Sequence, residues 1–279
     1  MNKVRRNERI AAMARILSSR PNHIMTLSYF CELFQSAKST ISEDIVMIKD
    51  AFNTYGLGDL ETVAGAAGGV RFIPRPDNSA ALGFIREICE MLSQPDRILP
   101  GGFLYMTDII YNPNIMMRLG EILASQFPAV QPDFIITVET KGIPVAMMTA
   151  LSLGCPVVVA RRENNVTEGS LVSINYVTAS SKRIQTMSLS KRAVKEGQKA
   201  LIIDDFMKGG GTARGMAELL REFNIEILGT GVVIATKEPQ DKLVGDYKPL
   251  MVLSMVDEAS RRVELEPAQW IKESSQPSK

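Results

Sequence analysis

The chain has 279 residues, of which 45% are hydrophobic, enough for one large or two smaller folded domains and too many for a disordered chain. The 32 basic and 31 acidic residues give a net charge of +1, so the overall charge does not point to nucleic acid. A single histidine, His23, excludes a site built on two histidines. Cys31, Cys89 and Cys155 are far apart and form no Cys-x-x-Cys pair, which favours a reducing compartment and a cytoplasmic location.

Three helices and a hairpin are predicted in the first 74 residues. The first and third helices carry apolar residues at helical spacing, and Thr26 is a suitable N-cap for a second helix over Leu27–Phe34. Two strand-like runs, 60–64 and 70–74, flank a glycine-rich tip and predict a β-hairpin. The apolar positions are Ile10, Met13, Ala14 and Leu17 in the first helix, and Ile41, Ile45, Ile48 and Phe52 in the third, which begins at Ala37 or Lys38.

This order of elements is that of a winged helix-turn-helix, whose recognition helix presents short polar or basic side chains to DNA. Residues 1–76 carry a net charge of +3 and the remainder −2, which has the sign expected for a small DNA-binding domain. Glu43, Asp44 and Asp50 on the third helix favour the alternative, a small helical cap or dimerisation domain, because carboxylates repel phosphate. The candidate DNA contacts are Lys38, Ser39, Thr40 and Ser42 on that helix, Arg5 and Arg6 near the N-terminus, and Arg71 on the hairpin.

A Pro-rich stretch, residues 74–79, is the predicted linker between two domains, which we place at 1–75 and 76–272, with a disordered tail over 273–279. Residues 142–160 carry no charge and are long enough to span a membrane. Because prolines and a glycine interrupt this stretch, we predict instead a buried helix over 145–153 and a buried strand over 157–160, and no membrane segment.

The most specific motif follows a hydrophobic strand that begins at Ala200. It consists of two adjacent acids, Asp204 and Asp205, then the glycines Gly209–Gly211, then Thr212 and a helix predicted over 213–223. Glycines let backbone amides approach a phosphate closely, and the start of a helix attracts an anion. The carboxylates can accept hydrogen bonds from the hydroxyls of a ribose. The spacing matches neither a Walker loop nor a dinucleotide-binding fingerprint.

This motif resembles the phosphoribosyl-pyrophosphate (PRPP) motif of type I phosphoribosyltransferases. The resemblance implies an α/β fold for the C-terminal part, with a mostly parallel sheet, helices on both faces and a small hood. It also implies that backbone amides and a basic side chain after an earlier strand hold pyrophosphate. The segments so assigned are Thr140, Lys141 and Gly142 for the pyrophosphate loop, Arg161 for a basic strand end, 175–189 with Lys182 and Arg183 for a flexible loop, and 253–265 for the hood.

Two positions depart from a catalytic pattern. Hypoxanthine-guanine transferases resembling this domain place an aspartate three residues after the second acid, where this chain has Lys208. Gly209 stands where many members carry serine or threonine. Adenine and xanthine transferases also lack that aspartate, so an active purine phosphoribosyltransferase stays the alternative function. We assign no catalytic residue, no metal ligand and no required cofactor.

The fusion of the two parts resembles the bacterial purine operon repressors, and the runs 99–109, 166–177 and 201–212 carry this resemblance. It implies a dimeric repressor that binds operator DNA and PRPP, the inducer, with Mg²⁺ only as the counter-ion of PRPP. Purine nucleotides such as guanosine tetraphosphate would compete for the same site. For Phe206, two interpretations are equally good: its ring stacks on a purine, or it packs in the core. For Phe103 and Tyr105, core packing is the favoured interpretation. The remaining residues assigned to the effector site are Asp204, Asp205, Lys208, Gly209, Gly210, Gly211 and Thr212.

Overall fold

A computed structural model describes residues 4–65, 68–128, 130–162, 169–177 and 184–275. Its contacts divide the chain into two compact units, 1–77 with 151–154, and 78–150 with 155–279. The limits of 1–75 and 76–272 that we gave to the two domains stay a prediction. In the described parts, no helix is both long and apolar enough to cross a bilayer.

The first unit contains the predicted three helices followed by a hairpin. Strand β3 pairs antiparallel with both β1 and β2, which completes a three-stranded sheet. Thr26 caps α2 by accepting a hydrogen bond from the amide of Tyr29, at 3.2 Å, and Gly56 ends α3 in the left-handed conformation. The elements are α1 (Arg6–Ser18), β1 (Met25–Thr26), α2 (Leu27–Phe34), α3 (Lys38–Tyr55), β2 (Asp59–Val63) and β3 (Gly69–Ile73).

The core of the first unit is formed by the apolar faces that the periodicity predicted. Met13 and Leu17 from α1 meet Phe30 from α2 and the buried isoleucines of α3. The hairpin closes the core with Leu60 and with residues of β3. This burial holds the three helices against the sheet, because isolated helices have only marginal stability in water.

The second unit is built on a six-stranded sheet with the order β13-β12-β11-β10-β6-β7. All neighbouring strands are parallel except β12 and β13, so the mostly parallel sheet is confirmed. Helices α4, α6 and α8 pack against it. The elements are α4 (Asn78–Leu92), β4 (Ile98–Leu99), β5 (Phe103–Leu104), α5 (Thr107–Ile110), α6 (Pro113–Ala124), β6 (Phe134–Val138), α7 (Gly142–Leu153), β7 (Val157–Ala160), β8 (Leu171–Val177), β9 (Ile184–Ser190), β10 (Lys199–Met207), α8 (Gly211–Arg221), β11 (Glu226–Thr236), β12 (Lys248–Asp257), β13 (Arg262–Pro267) and α9 (Gln269–Ser274).

The parallel pairing of β6 and β10 decides where the site lies. Both strands are apolar and buried, and Ala200, Leu201 and Ile202 pair with residues 134–136. The loops that leave the carboxyl ends of the two strands therefore meet at one edge of the sheet, where open α/β sheets bind their ligands.

Several predicted boundaries and assignments are corrected by the structure. Segment 253–265, predicted as the hood, contains the second half of β12 and most of β13, and so belongs to the main sheet. Much of the predicted flexible loop is the two-stranded ribbon of β8 and β9, while 178–183, with Lys182 and Arg183, lie outside the described residues. Asn78 and Ser79, predicted as linker, begin α4, and Glu273 and Ser274, predicted in a disordered tail, end α9.

Candidate functional site

A cavity of about 550 Å³ opens at the carboxyl edge of the sheet in the second unit. Its volume is in the range of about 300–1,000 Å³ that small-molecule sites occupy. One part of the lining is the segment that contains β5, and another is the end of β10 with the start of α8. The lining residues are 101–104 and 106, Lys141, Arg162, Gln185, 204–213, Thr236 and Leu253.

The glycine-rich turn forms the phosphate loop, a name used here for residues 208–211. Gly210 has φ +79°, which a residue with a side chain adopts only under strain, and it is the N-cap of α8. The helix therefore begins at Gly211, two residues before the predicted start. The first amides of α8 lack partners within the helix and face the side on which an anion can be bound.

Asp204 and Asp205 form the acidic floor of the cavity. Asp204 is only 5% exposed, and its Oδ1 accepts a hydrogen bond from the amide of Asp205 at 2.9 Å. A Cβ added at Gly142 would lie 2.8 Å from this Oδ1 and 2.3 Å from Thr137 Oγ1, so only glycine fits at that position. Burial, and then the negative charge of Asp205, raise the pKa of Asp204 well above the usual range of a carboxyl, while Arg162 opposes them.

The raised pKa of Asp204 predicts that Asp204→Asn stabilises the ligand-free protein at pH 8. A folded-state pKa above the unfolded one gives stability that is present at low pH and is lost as the pH rises through the folded value. Asparagine has no charge to bury, so we expect its melting temperature to exceed that of the wild type by about 2–4 °C at pH 8. Thermal melts at several pH values would check this, because the difference should vanish below about pH 3, where Asp204 is protonated in both the folded and the unfolded chain. An equal difference at every pH would contradict the explanation.

Among the residues that the structure describes, three basic residues line the cavity, and one of them differs from the prediction. Lys141 and Lys208 line it as expected, and Arg162 does so in place of Arg161. Arg161 instead forms an ion pair with Glu139, 3.3 Å from Nη1 to Oε2. Glu139 Oε1 also accepts the amide of Arg162, at 2.6 Å, and this bond fixes the backbone where the two arginines diverge.

Thr140 is exposed and is not among the residues that line the cavity. Its carbonyl accepts a hydrogen bond from the amide of Ile143, at 3.3 Å, as α7 begins. Of the predicted pyrophosphate loop, Lys141 lines the cavity, whereas Thr140 and the buried Gly142 do not.

Two aromatic residues belong to the lining of the cavity. Phe206 lines it directly after the acidic pair, and Phe103 lines it with 65% of its surface exposed. The interpretation of Phe103 as a core residue is therefore wrong, and Tyr105, at 43% exposure, is not a core residue either. The glycines at 101 and 102, both with positive φ, turn the chain so that the Phe103 side chain projects outward.

Gln185 is a lining residue that our sequence analysis missed. Its Oε1 accepts the hydroxyl of Tyr176, at 2.9 Å, across the ribbon of β8 and β9. The Tyr176 ring packs so closely on α8 that a Cβ at Gly215 would lie 3.0 Å from it. The ribbon is thereby fixed to the helix that begins at the phosphate loop. The polar composition of 175–189 indicated that this segment takes part in the site, but it did not identify Gln185 as the lining residue.

The candidate DNA surface lies at the start of α3 in the first unit. Lys38, Ser39 and Ser42 are exposed there and Thr40 is half-buried. Arg71 is paired with Glu61, 2.7 Å from Nη2 to Oε2. Arg5, exposed at the N-cap of α1, donates its amide to Glu8.

Asp44 does not bear on DNA binding in the way we expected. It is completely buried, and its carboxylate accepts hydrogen bonds from Arg9, at 2.7 Å, and from Arg6, at 3.0 Å. It therefore presents no negative charge to DNA phosphates, although the exposed Glu43 and Asp50 still do. Arg6 is in turn engaged within the protein and retains 52% exposure of its side chain.

Comparison with known proteins finds a match for each of the two parts of the chain and relatives that match nearly all of it. A family model described as the N-terminal part of the bacterial purine repressor matches residues 5–74, and a phosphoribosyl transferase domain model matches 106–268. The purine biosynthesis transcriptional repressor of Bacillus subtilis is 44% identical over 270 residues, which are 97% of this chain and 95% of that protein. The chain belongs to the bacterial purine repressor family.

One further relative of this purine repressor family member and one solved structure extend the comparison. The purine biosynthesis transcriptional activator of Lactococcus lactis strain IL1403 is 39% identical over 94% of this chain and 97% of its own length. The crystal structure of adenine phosphoribosyltransferase from Thermoanaerobacter pseudethanolicus aligns with a TM-score of 0.52 at 22% identity, covering 60% of this chain and 98% of that one. The latter likeness concerns the fold, and it confirms the fold predicted for the C-terminal part.

Proposed function

We propose that this protein is a cytoplasmic, homodimeric transcriptional regulator of purine biosynthesis genes, with a winged helix that binds operator DNA and a second unit that binds PRPP. The observation that carries the proposal is the cavity in which the acidic pair, the phosphate loop and basic side chains converge, in a chain of the purine repressor family. A homodimer presents two winged helices, which suits two half-sites of an operator.

The lining suggests a role for each group toward PRPP. Asp204 and Asp205 accept hydrogen bonds from the ribose hydroxyls, and the phosphate loop with Thr212 holds the 5′-phosphate. Lys141 and Arg162 face the pyrophosphate, whose Mg²⁺ is bound with the ligand. Charge complementarity supports this division, because the cations that line the cavity match an anion of several charges.

Purine nucleotides such as guanosine tetraphosphate compete with PRPP for the cavity under the same proposal. Phe206 and Phe103 line it, and their aromatic surface is not needed by a phosphorylated sugar but can stack on a purine ring. A competition titration checks this: guanosine tetraphosphate should lower the apparent affinity for PRPP without changing the number of sites.

PRPP acts as an inducer by thermodynamic linkage in this proposal. If PRPP weakens operator binding, operator DNA must weaken PRPP binding by the same factor, and a coupling of about 1–3 kcal/mol corresponds to a roughly 5- to 150-fold change. Operator titrations with and without PRPP, combined with calorimetry of PRPP binding, test the scheme. An unchanged dependence on salt would count against direct competition between PRPP and DNA phosphates. We propose repression, although the related protein of Lactococcus lactis is named an activator.

Lys38→Ala combined with Thr40→Ala is expected to weaken operator binding by about tenfold or more, since one phosphate contact and one base contact are lost. The salt dependence should fall by about one unit of slope for the lost lysine. Lys49→Ala is the matched control, because Lys49 is exposed on the same helix three turns further along. Gel shifts on DNA upstream of purine genes measure both variants. Full retention of binding by the double variant would favour a domain that contacts protein.

An active purine phosphoribosyltransferase is the second candidate function. It is favoured by the match of residues 106–268 to the phosphoribosyl transferase domain and by the intact acidic pair. Lys208 and Gly209 count against it, because hypoxanthine-guanine transferases carry an aspartate at the first position and many type I phosphoribosyltransferases carry serine or threonine at the second. Incubation with PRPP, Mg²⁺ and adenine, hypoxanthine, guanine or xanthine decides, since an enzyme forms nucleotide over many turnovers.

A further inference from the structure

The segment between β11 and β12, residues 237–247, contacts the phosphate loop from outside the cavity. Lys242 Nζ donates hydrogen bonds to the carbonyl of Lys208, to the carbonyl of Thr236 at 2.7 Å and to Thr236 Oγ1 at 3.2 Å. The amide of Leu243 donates to the carbonyl of Gly209, at 2.9 Å. Lys242 itself is not a lining residue.

These bonds fix the direction of two consecutive peptide groups. The carbonyls of Lys208 and Gly209 both point toward segment 237–247, and both peptide bonds are trans. In a trans peptide the N–H points away from the C=O, so the amides of Gly209 and Gly210 point to the other side. That side is the cavity, which the whole loop lines.

A lysine suits this position because an ammonium group has three donors and no acceptor. Three oxygens surround it, and it is half-buried, so that desolvation lowers its pKa. Without it, the carbonyl of Lys208 loses its charged donor and keeps the Thr236 hydroxyl, 3.1 Å away, which also lies 2.6 Å from the carbonyl of Glu238. The glycines that follow have no side chains to resist rotation of the peptide groups.

We propose that Lys242 is a positioning residue for the phosphate loop: it holds the loop carbonyls outward, so that amides face the 5′-phosphate before the ligand arrives. The inference rests on the proposed function, since it concerns how PRPP is bound. Preorganised donors bind more tightly because less conformational entropy is lost on binding. Lys242 thereby controls affinity for the ligand without touching it.

The test uses ribose 5-phosphate and inorganic pyrophosphate as separate probes, titrated by calorimetry into the full-length protein. Lys242→Met keeps the aliphatic stem and removes the three donors. We expect it to weaken ribose 5-phosphate binding by about tenfold, and to leave the affinity for pyrophosphate unchanged, because Lys141 and Arg162 are untouched. Lys242→Arg restores donors and should recover most of the affinity. Lys237→Met removes an exposed charge from the same segment and should change neither probe.

Each remaining outcome counts against the inference in a distinguishable way. Equal weakening of both probes in Lys242→Met means a general distortion, and unchanged binding of ribose 5-phosphate means no positioning role. If the wild type binds neither probe, the proposed function fails together with the inference. Should the methionine variant not fold, Lys242→Gln, which keeps two donors, is expected to show an intermediate loss, and wild-type affinity for ribose 5-phosphate in that variant overturns the inference.

Discussion

Replacing Asp44 by alanine is expected to destabilise the N-terminal unit by about 3–5 kcal/mol, the usual cost of leaving a buried charge without its partner. Asp44 is fully buried, and the side chain of Arg9, 2.7 Å away, is only 5% exposed. Alanine would leave the Arg9 guanidinium in an apolar core with the carbonyl of Val4 as its other partner, at 3.1 Å. Because this cost is a large part of the stability of a small domain, we expect the unit to unfold and operator binding to be lost.

The single tryptophan allows the unfolding of the second unit to be followed separately from that of the first. Trp270 lies in the second unit, so its fluorescence during urea unfolding reports that unit alone. We expect its transition to be retained in Asp44→Ala, while limited proteolysis cleaves the first unit. Asp50→Ala is the control, because Asp50 is an exposed acid on the same helix and its loss should change neither readout. A protease-resistant Asp44→Ala variant that still binds operator would refute the prediction.

This ion pair shows where sequence reasoning stops. Apolar spacing predicted the three helices because an amphipathic pattern is a local property, and the starts of α2 and α3 and both strands of the hairpin were placed within one residue. Asp44, however, occupies a position that looks polar and exposed, and its partner is 35 residues earlier in the chain. Only the packing of α1 on α3 brings the two charges together, and no spacing in the sequence reports that packing.

The residues of the effector cavity also fall into those that the sequence could assign and those that it could not. The acidic pair, the phosphate loop and Lys141 could be assigned in advance, because they form two short motifs directly after buried strands. Arg162 was missed since neighbouring residues at a strand end point in different directions, and the choice depends on the bond that Glu139 makes. Phe103 was misassigned because hydrophobicity indicates burial in general, whereas this ring borders a cavity that exists only in the folded unit.

The substitution with the largest expected effect on the effector response is Asp204→Ala combined with Asp205→Ala. Both carboxylates lie on the cavity floor, and each is expected to accept a ribose hydroxyl, so their joint loss removes about 3–6 kcal/mol of charge-assisted hydrogen bonding. That corresponds to at least a 100-fold loss of PRPP affinity, as about 1.4 kcal/mol is a factor of ten. Operator affinity without PRPP should stay at the wild-type level, because the candidate DNA contacts are all in the first unit.

Operator titrations at increasing PRPP concentration measure both quantities in one experiment. By reciprocity, a variant that no longer binds PRPP cannot transmit its effect, so its operator affinity should be the same at every PRPP concentration. Glu87→Ala combined with Glu90→Ala removes two exposed acids from α4 outside the cavity and serves as the charge-matched control, with a normal response expected. If the aspartate variant still released operator on addition of PRPP, the inducer would have to bind elsewhere, and the assignment of the cavity would be wrong even though the family is certain.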